Sequence, residues 1–177
     1  GNDGAEVVLT FEAAHQDGSA SVEKTFTIQS STPLSDEYTN ENLYNINSNN
    51  KGAFDLVNNE NISSSGDDSV KDIVNTTPKY DVNMVDGFYS LSGTTFVKAN
   101  TLDYETVTLE QAVTAHEAGS PIAGSDDPDS DFDVAENDIV VAKLRGGDDY
   151  AVLRIVEINE ASNNDGDYIR FSYKKSL

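Results

Sequence analysis

Apolar residues recur at every second position in short runs, and turn-forming residues separate the runs. Val7, Leu9 and Phe11 alternate with Glu6, Val8 and Thr10, the period of a half-buried strand. Val22, Lys24, Phe26 and Ile28 alternate in the same way. His15-Gln16-Asp17-Gly18-Ser19 lies between them, and Asp-Gly tolerates positive φ, so the pattern predicts a hairpin. Residues 33–50 are polar and Asn-rich, held only by Leu34, Tyr38, Leu43, Tyr44 and Ile46; they read as a long loop or a mobile linker. Short strands are predicted at 53–57, 70–74, 80–85, 88–91 and 95–97, with Asn58-Asn59-Glu60 and Asp86-Gly87 as turns.

One segment departs from this period. Thr108 is followed three residues later by Gln111, the spacing of a capping box. Leu109, Ala112, Val113 and His116 then share one helix face, and Gly119 and Pro121 end it, which predicts a short helix near 108–118. Beyond it, residues 138–144, 149–158 and 167–174 form three alternating strands on short Gly- and Asn-containing turns, an antiparallel meander. Ala151, Leu153 and Ile155 are expected to share a core with Ile169, Phe171 and Tyr173. The order is strands, one helix, then strands, with no regular βαβ alternation. The fold class expected is mainly β, with sandwich-like antiparallel sheets in a single domain over residues 1–177.

Charge narrows the partners. The chain carries 32 Asp and Glu against 11 Lys and Arg, a net charge of −21 over 177 residues. So negative a field repels nucleic acid and anionic membrane surfaces and leaves cations as natural small partners. No apolar run approaches the length of a transmembrane helix. There is no cysteine, which removes disulfides, thiolate metal sites and cysteine nucleophiles from consideration. No signal peptide is visible, and the opening Gly1-Asn2-Asp3-Gly4 is a polar stub that reads as a trimmed mature end or an expression scar.

The densest chemistry is the run Ser125-Asp126-Asp127-Pro128-Asp129-Ser130-Asp131-Phe132-Asp133. Asp129, Asp131, Asp133 and Glu136, with Asp138 in reach, are candidate calcium ligands, because Ca²⁺ takes hard oxygen donors in that number. The EF-hand pattern fails, since Val134 stands where its glycine belongs; the other reading is a solvated acidic loop. The two histidines, His15 and His116, read as a turn residue and a half-buried helix residue rather than a metal pair. No phosphate-binding glycine loop, Gly-x-Ser-x-Gly or His-Glu-x-x-His motif is found. Asn61-Ile62-Ser63 and Asn75-Thr76-Thr77 match the glycosylation sequon, which chance explains in so Asn-rich a chain. Tyr38, Tyr44, Tyr80, Tyr89, Tyr104, Tyr150, Tyr168 and Tyr173 read either as the lining of a ligand groove or, for the most part, as core-edge residues.

Gly52-Ala53-Phe54-Asp55-Leu56-Val57-Asn58-Asn59-Glu60 is similar to the opening strand, turn and buried acid of small secreted lipoproteins from the Bacteroidetes. Residues 70–74 resemble their next strand, 137–144 and 150–155 their closing meander, and 168–175 their last strand. Over residues 22–175 the layout loosely resembles the haem-capturing HmuY-like lipoproteins. That resemblance implies a β-rich fold, surface anchoring through an N-terminal lipidated cysteine, and haem held by two histidines. Neither His15 nor His116 matches those ligand positions, so no haem is expected. The functional expectation is a non-catalytic, exported lipoprotein or binding module, at the cell surface, extracellular or periplasmic, for an unidentified ligand or protein partner. The alternatives are a calcium-stabilised adhesion module and a carbohydrate-active enzyme.

Overall fold

A computed structural model describes residues 5–15, 18–28, 31–79, 81, 83–161 and 164–177. The chain is mainly β and divides into two compact units, residues 1–32 and 33–177. The first is the expected hairpin, β1 (Ala5–His15) against β2 (Gly18–Ile28). Its register sets Val7 opposite Phe26, Leu9 opposite Lys24 and Phe11 opposite Val22, so the two alternating patterns are in phase. Gln16 and Asp17 of the expected turn, and the opening residues 1–4, lie outside the described residues.

The second unit contains β3 (Tyr38–Tyr44), β4 (Ala53–Asp55), β5 (Glu60–Ile62), β6 (Ile73–Asn75), β7 (Gly87–Tyr89), β8 (Thr95–Lys98), α1 (Leu109–Ala118), β9 (Phe132–Asp133), β10 (Ile139–Lys143), β11 (Tyr150–Asn159) and β12 (Tyr168–Lys175). They form two five-stranded antiparallel sheets, ordered β3-β12-β11-β10-β8 and β5-β4-β6-β7-β9. The expected C-terminal meander is present, and its register sets Leu153 opposite Tyr173 and Ile155 opposite Phe171.

One core lies between the sheets. Phe54, Ile73, Phe88 and Phe132 enter it from the second sheet, and Leu43, Phe96, Leu153 and Phe171 from the first. Edge-to-face ring pairs knit the two sides, with centroids 5.2 Å apart for Phe54–Phe171 and 5.0 Å for Phe88–Phe96. The opposite face of the first sheet carries a second cluster that includes Val97, Val141, Val152 and Ala112 of α1. Because both faces of β10 are covered, Ile139-Val140-Val141-Ala142 is apolar throughout rather than alternating. The capping box is complete: Gln111 N–H donates to Thr108 Oγ1 and Thr108 N–H to Gln111 Oε1.

Three local expectations are corrected. The stretch 33–50 is not a loop throughout, since residues 38–44 form the edge strand β3 on β12. An edge strand pairs on one side only, so a mostly polar sequence suffices once Leu43 is buried. The strand expected at 70–74 is shifted: residues 68–70 make a 3-10 turn and β6 begins at Ile73. Of the strand expected at 80–85, Tyr80 and Val82 lie outside the described residues, and 81 and 83–85 are not strand.

An ionic clamp joins the sheets. Arg145, in the β10–β11 turn, sends Nη2 to Asp55 Oδ1 at 2.6 Å and to Asp72 Oδ2 at 2.9 Å, and Nε to Asp72 Oδ1 at 3.0 Å. Asp72 also accepts from Leu56 N, Ser92 Oγ and Thr94 Oγ1. Arg145 adopts φ 53°, a left-handed conformation, while its own N–H donates to Thr94 Oγ1.

Two stability outcomes follow from this packing. Leu153→Ala should cost about 2–5 kcal/mol in a urea titration, because the side chain is fully buried between the sheets; a loss under about 0.5 kcal/mol would put that side chain outside the core. Arg145→Ala should cost roughly 2–4 kcal/mol, because it strands two buried carboxylates. A double variant with Asp55→Asn should lose clearly less than the sum of the two single losses.

Candidate functional site

The structure does not bring the proposed calcium ligands together. Among the described residues no three acidic or histidine side chains are grouped so as to hold a metal ion. Glu136 Oε1 accepts from Ile158 N at 3.1 Å. Asp138 accepts from Asn100 Nδ2 and Ala135 N and pairs with Lys98 at 3.0 Å. Burial pushes the Asp138 pKa up, but those partners outweigh it and hold the carboxyl below its ordinary value. Asp129 and Asp133 are exposed, and Asp127 Oδ1 accepts from Asp129 N, a local turn contact.

Asp131 is turned the other way. It is 9% exposed, and its Oδ2 is buried with no hydrogen bond. That oxygen fills the space where a Cβ on Gly87 would stand, only 1.9 Å away, so Gly87 is required by the close approach of β9 to β7. Burial, opposed by the nearby Thr76 hydroxyl and reinforced by Asp133, pushes the Asp131 pKa up to about 6. Asp86, beside Gly87, is also raised, by burial and then by Glu160 and Asp133. Asp86, Glu136 and Glu160 line a shallow recess of about 370 Å³ with Val134, Ala135 and Ile158.

A different pocket, of about 340 Å³, is more enclosed than that recess. The register places it. Ile73 and Phe88 point into the shared core, so Val74 and its partner Tyr89 face away from it, as does Thr76. The pocket therefore opens on the outer face of the second sheet. Its walls are Ile46 and Asn47 before β4, Ser64 after β5, the segment 75–79 leaving β6, Tyr89 of β7, and Asp126 of the acidic run.

Asn75 organises this wall. Its Oδ1 accepts from Thr77 Oγ1 at 2.6 Å and Thr77 N at 3.2 Å, and its Nδ2 donates to Val85 O at 3.0 Å and Gly87 O at 3.3 Å. Thr77 Oγ1 also accepts from Val85 N at 3.0 Å, and Asn47 Nδ2 donates to Pro78 O at 2.7 Å. These groups are structural. Other polar ends are not so engaged, and the Thr76 hydroxyl among them is buried with no hydrogen bond. The Ser64 hydroxyl, the Tyr89 hydroxyl and the Asp126 carboxylate line the pocket and make no hydrogen bond or ion pair among the described residues. Burial, then Asp126 and Asp68, raise the Tyr89 pKa, so the phenol stays protonated and able to donate.

Of the residues the sequence singles out, the pocket takes Asp126 of the acidic run and, of the tyrosines, Tyr89. Asn75-Thr76-Thr77 had been noticed as a sequon, but Asn75 is fully buried with its amide committed, so it is no glycosylation acceptor. His116 is buried on α1, within 3.0 Å of Thr95 Oγ1 and edge-on to Tyr150; burial lowers its pKa.

The unit at 33–177 is thus of the antiparallel, sandwich-like β class, with a helix on one sheet and a polar pocket on the other. No protein-family model, curated protein or solved structure matches the chain.

Asp131 gives the fold a pH signature. Its pKa is near 6 in the fold against an ordinary 3.8, so the folded state holds the proton more tightly than the unfolded chain. Stability from this group is fully present below pH 3.8 and is lost as pH rises to about 6. Asp131→Asn, which mimics the protonated carboxyl, should match the wild type near pH 4 and exceed it at pH 7.5 by on the order of 1–3 kcal/mol. Urea midpoints measured across that range that stay parallel would show that the carboxyl is not strained in the fold.

Proposed function

We propose that the chain is a non-catalytic binding module of an exported lipoprotein, displayed at the cell surface, extracellularly or in the periplasm, and that it holds its ligand in the pocket on the outer face of the second sheet. The observation that carries this reading is the division of labour among the pocket's polar groups. Asn47, Asn75 and Thr77 are spent on rigid backbone contacts, while Ser64, Tyr89 and Asp126 present unengaged ends to the same space. Such a wall is preorganised, which lowers the ordering cost of binding. The Thr77 hydroxyl both donates and accepts within the wall, so it is occupied as a scaffold group rather than poised as a nucleophile. The lipoprotein-like layout of the sequence and the strong negative charge, which keeps an exposed domain soluble, support the location.

A fragment screen on the isotopically labelled chain tests the binding reading. Saturable amide shifts should cluster at Ser64, Tyr89 and residues 75–79, and the bound compounds should be recovered unchanged after long incubation. Chemical conversion of the bound compounds, or shifts confined to other surfaces, would overturn it. Protease treatment of intact producing cells tests the display: a surface module is cleaved there, and one that survives until the cells are opened is not on the outer surface.

A further inference from the structure

No side-chain nitrogen on the pocket wall stands without a partner. Asn75 Nδ2 donates to both Val85 O and Gly87 O, Asn47 Nδ2 donates to Pro78 O, and Lys79 has a partner of its own. The Thr76 hydroxyl is buried and lies near Asp131, out of a ligand's reach. What the wall leaves for a ligand is the Asp126 carboxylate, which only accepts hydrogen bonds, and the Ser64 and Tyr89 hydroxyls, which are able to accept. A ligand that brings donors and asks for none in return matches that set. We infer that the pocket takes a primary ammonium group on a short hydrocarbon stem; this rests on the pocket being the binding site.

Charge agrees with this. After burial, Asp126 and then Asp68 are what raise the Tyr89 pKa, so two carboxylates act on the phenol. Asp68 is paired with Lys71 at 2.7 Å. Asp126 has no ion pair among the described residues, so its negative charge is left for a ligand to balance. A bond from an ammonium to that carboxylate is charge-assisted, about twice as strong as one between neutral groups. This favours an ammonium over a neutral hydroxyl compound. The net charge of −21 draws cations towards the chain and turns anions away. Ile46 and Pro78 line the same space and supply apolar surface for a stem. The volume of about 340 Å³ lies at the small end of ligand sites, which suits a stem of a few carbons. A free alkylamine and a lysine side chain both present this chemistry.

The test is an NMR titration of the labelled chain with butylamine and with a blocked lysine, Nα-acetyl-lysine methylamide. Butanol and the Nε-acetylated form of the blocked lysine keep the stems and lack the charge. Methyl glucoside, inorganic phosphate and adenosine serve as further comparison probes. At least one ammonium probe should give saturable shifts at Ser64, Tyr89 and Asp126, and its uncharged counterpart should bind about tenfold more weakly or worse. Tighter binding of butylamine assigns the site to a free amine, and tighter binding of the blocked lysine assigns it to the lysine of a partner. Asp126→Asn should weaken the ammonium probe about tenfold. Asp129→Asn makes the same charge change in the same run, on an exposed residue outside the pocket, and should leave the affinity unchanged. Both side chains are exposed, and melting temperatures within a few degrees of the parent certify folding. Equal weakening by the two variants would mean diffuse attraction to an acidic chain and would overturn the assignment, as would butanol binding as tightly as butylamine. If only methyl glucoside, phosphate or adenosine shifts the pocket, the ammonium assignment falls while the pocket remains the binding site. If no probe shifts it, both fall.

Discussion

The second unit depends on one guanidinium reaching from one sheet to the other. Arg145 leaves the β10–β11 turn of the first sheet and meets two carboxylates of the second, Asp55 at the end of β4 and Asp72 just before β6. Neither carboxylate is exposed, so each needs a positive partner and hydrogen-bond donors to offset its burial. Both have them. Asp72 collects Leu56 N, Ser92 Oγ and Thr94 Oγ1 in addition to Arg145, and Asp55 collects both Asn58 nitrogens. A fully satisfied network of this kind specifies a geometry more than it adds stability, because desolvation offsets much of the attraction. What it specifies is the placement of β4 and β6. Asn75, Thr76 and Thr77 follow within five residues of Asp72, so the pocket wall inherits its position from the clamp.

The excess of acid over base is not spread as a uniform repelling surface. Many carboxylates act as acceptors for amide groups nearby. Asp165 accepts from Asn49 N and Nδ2, Asp167 from Asn45 Nδ2, and Asp138 from Asn100 Nδ2. The bonds from Asn49, at its backbone N–H first and then its side chain, hold Asp165 below the ordinary carboxylate range. Asparagine abundance is therefore structural here. The segment 45–50 is fastened to the turn before β12 by these contacts, and it delivers Ile46 and Asn47 to the pocket.

How much of this was legible in the sequence depended on whether the signal was periodic. The meander and the helix were read correctly because alternation and capping are local; Leu153, Phe171 and Gln111 stand where the patterns put them. The strand β3 was missed because an edge strand needs few apolar residues, and Asn40, Asn42 and Glu41 looked like loop. The clamp was not foreseen, since Asp55, Asp72 and Arg145 are far apart in sequence and nothing local marks them as partners. The acidic run was visible, but its division was not. Phe132 is drawn into the core; that pulls Asp131 under β7 against Gly87 while Asp129 stays exposed. A carboxylate pattern along the chain says nothing of which oxygens turn inward.

The same division explains why the pocket lies on the second sheet. The first sheet is covered on both faces, by the shared core and by α1, and its strands are apolar accordingly. The second sheet has strands of two or three residues and no helix over its outer face among the described residues. Loops must cover that face, and loops bring unpaired backbone groups that need hydrogen-bond partners. Asn75 supplies them for the 75–87 segment, and Asn47 for Pro78. Once those bonds are made, Ser64, Thr76, Tyr89 and Asp126 are among the pocket side chains that no backbone group requires. A concave face floored by short strands, walled by amide-braced loops and rimmed by uncommitted hydroxyl and carboxylate groups thus arises from leaving one sheet without a helix.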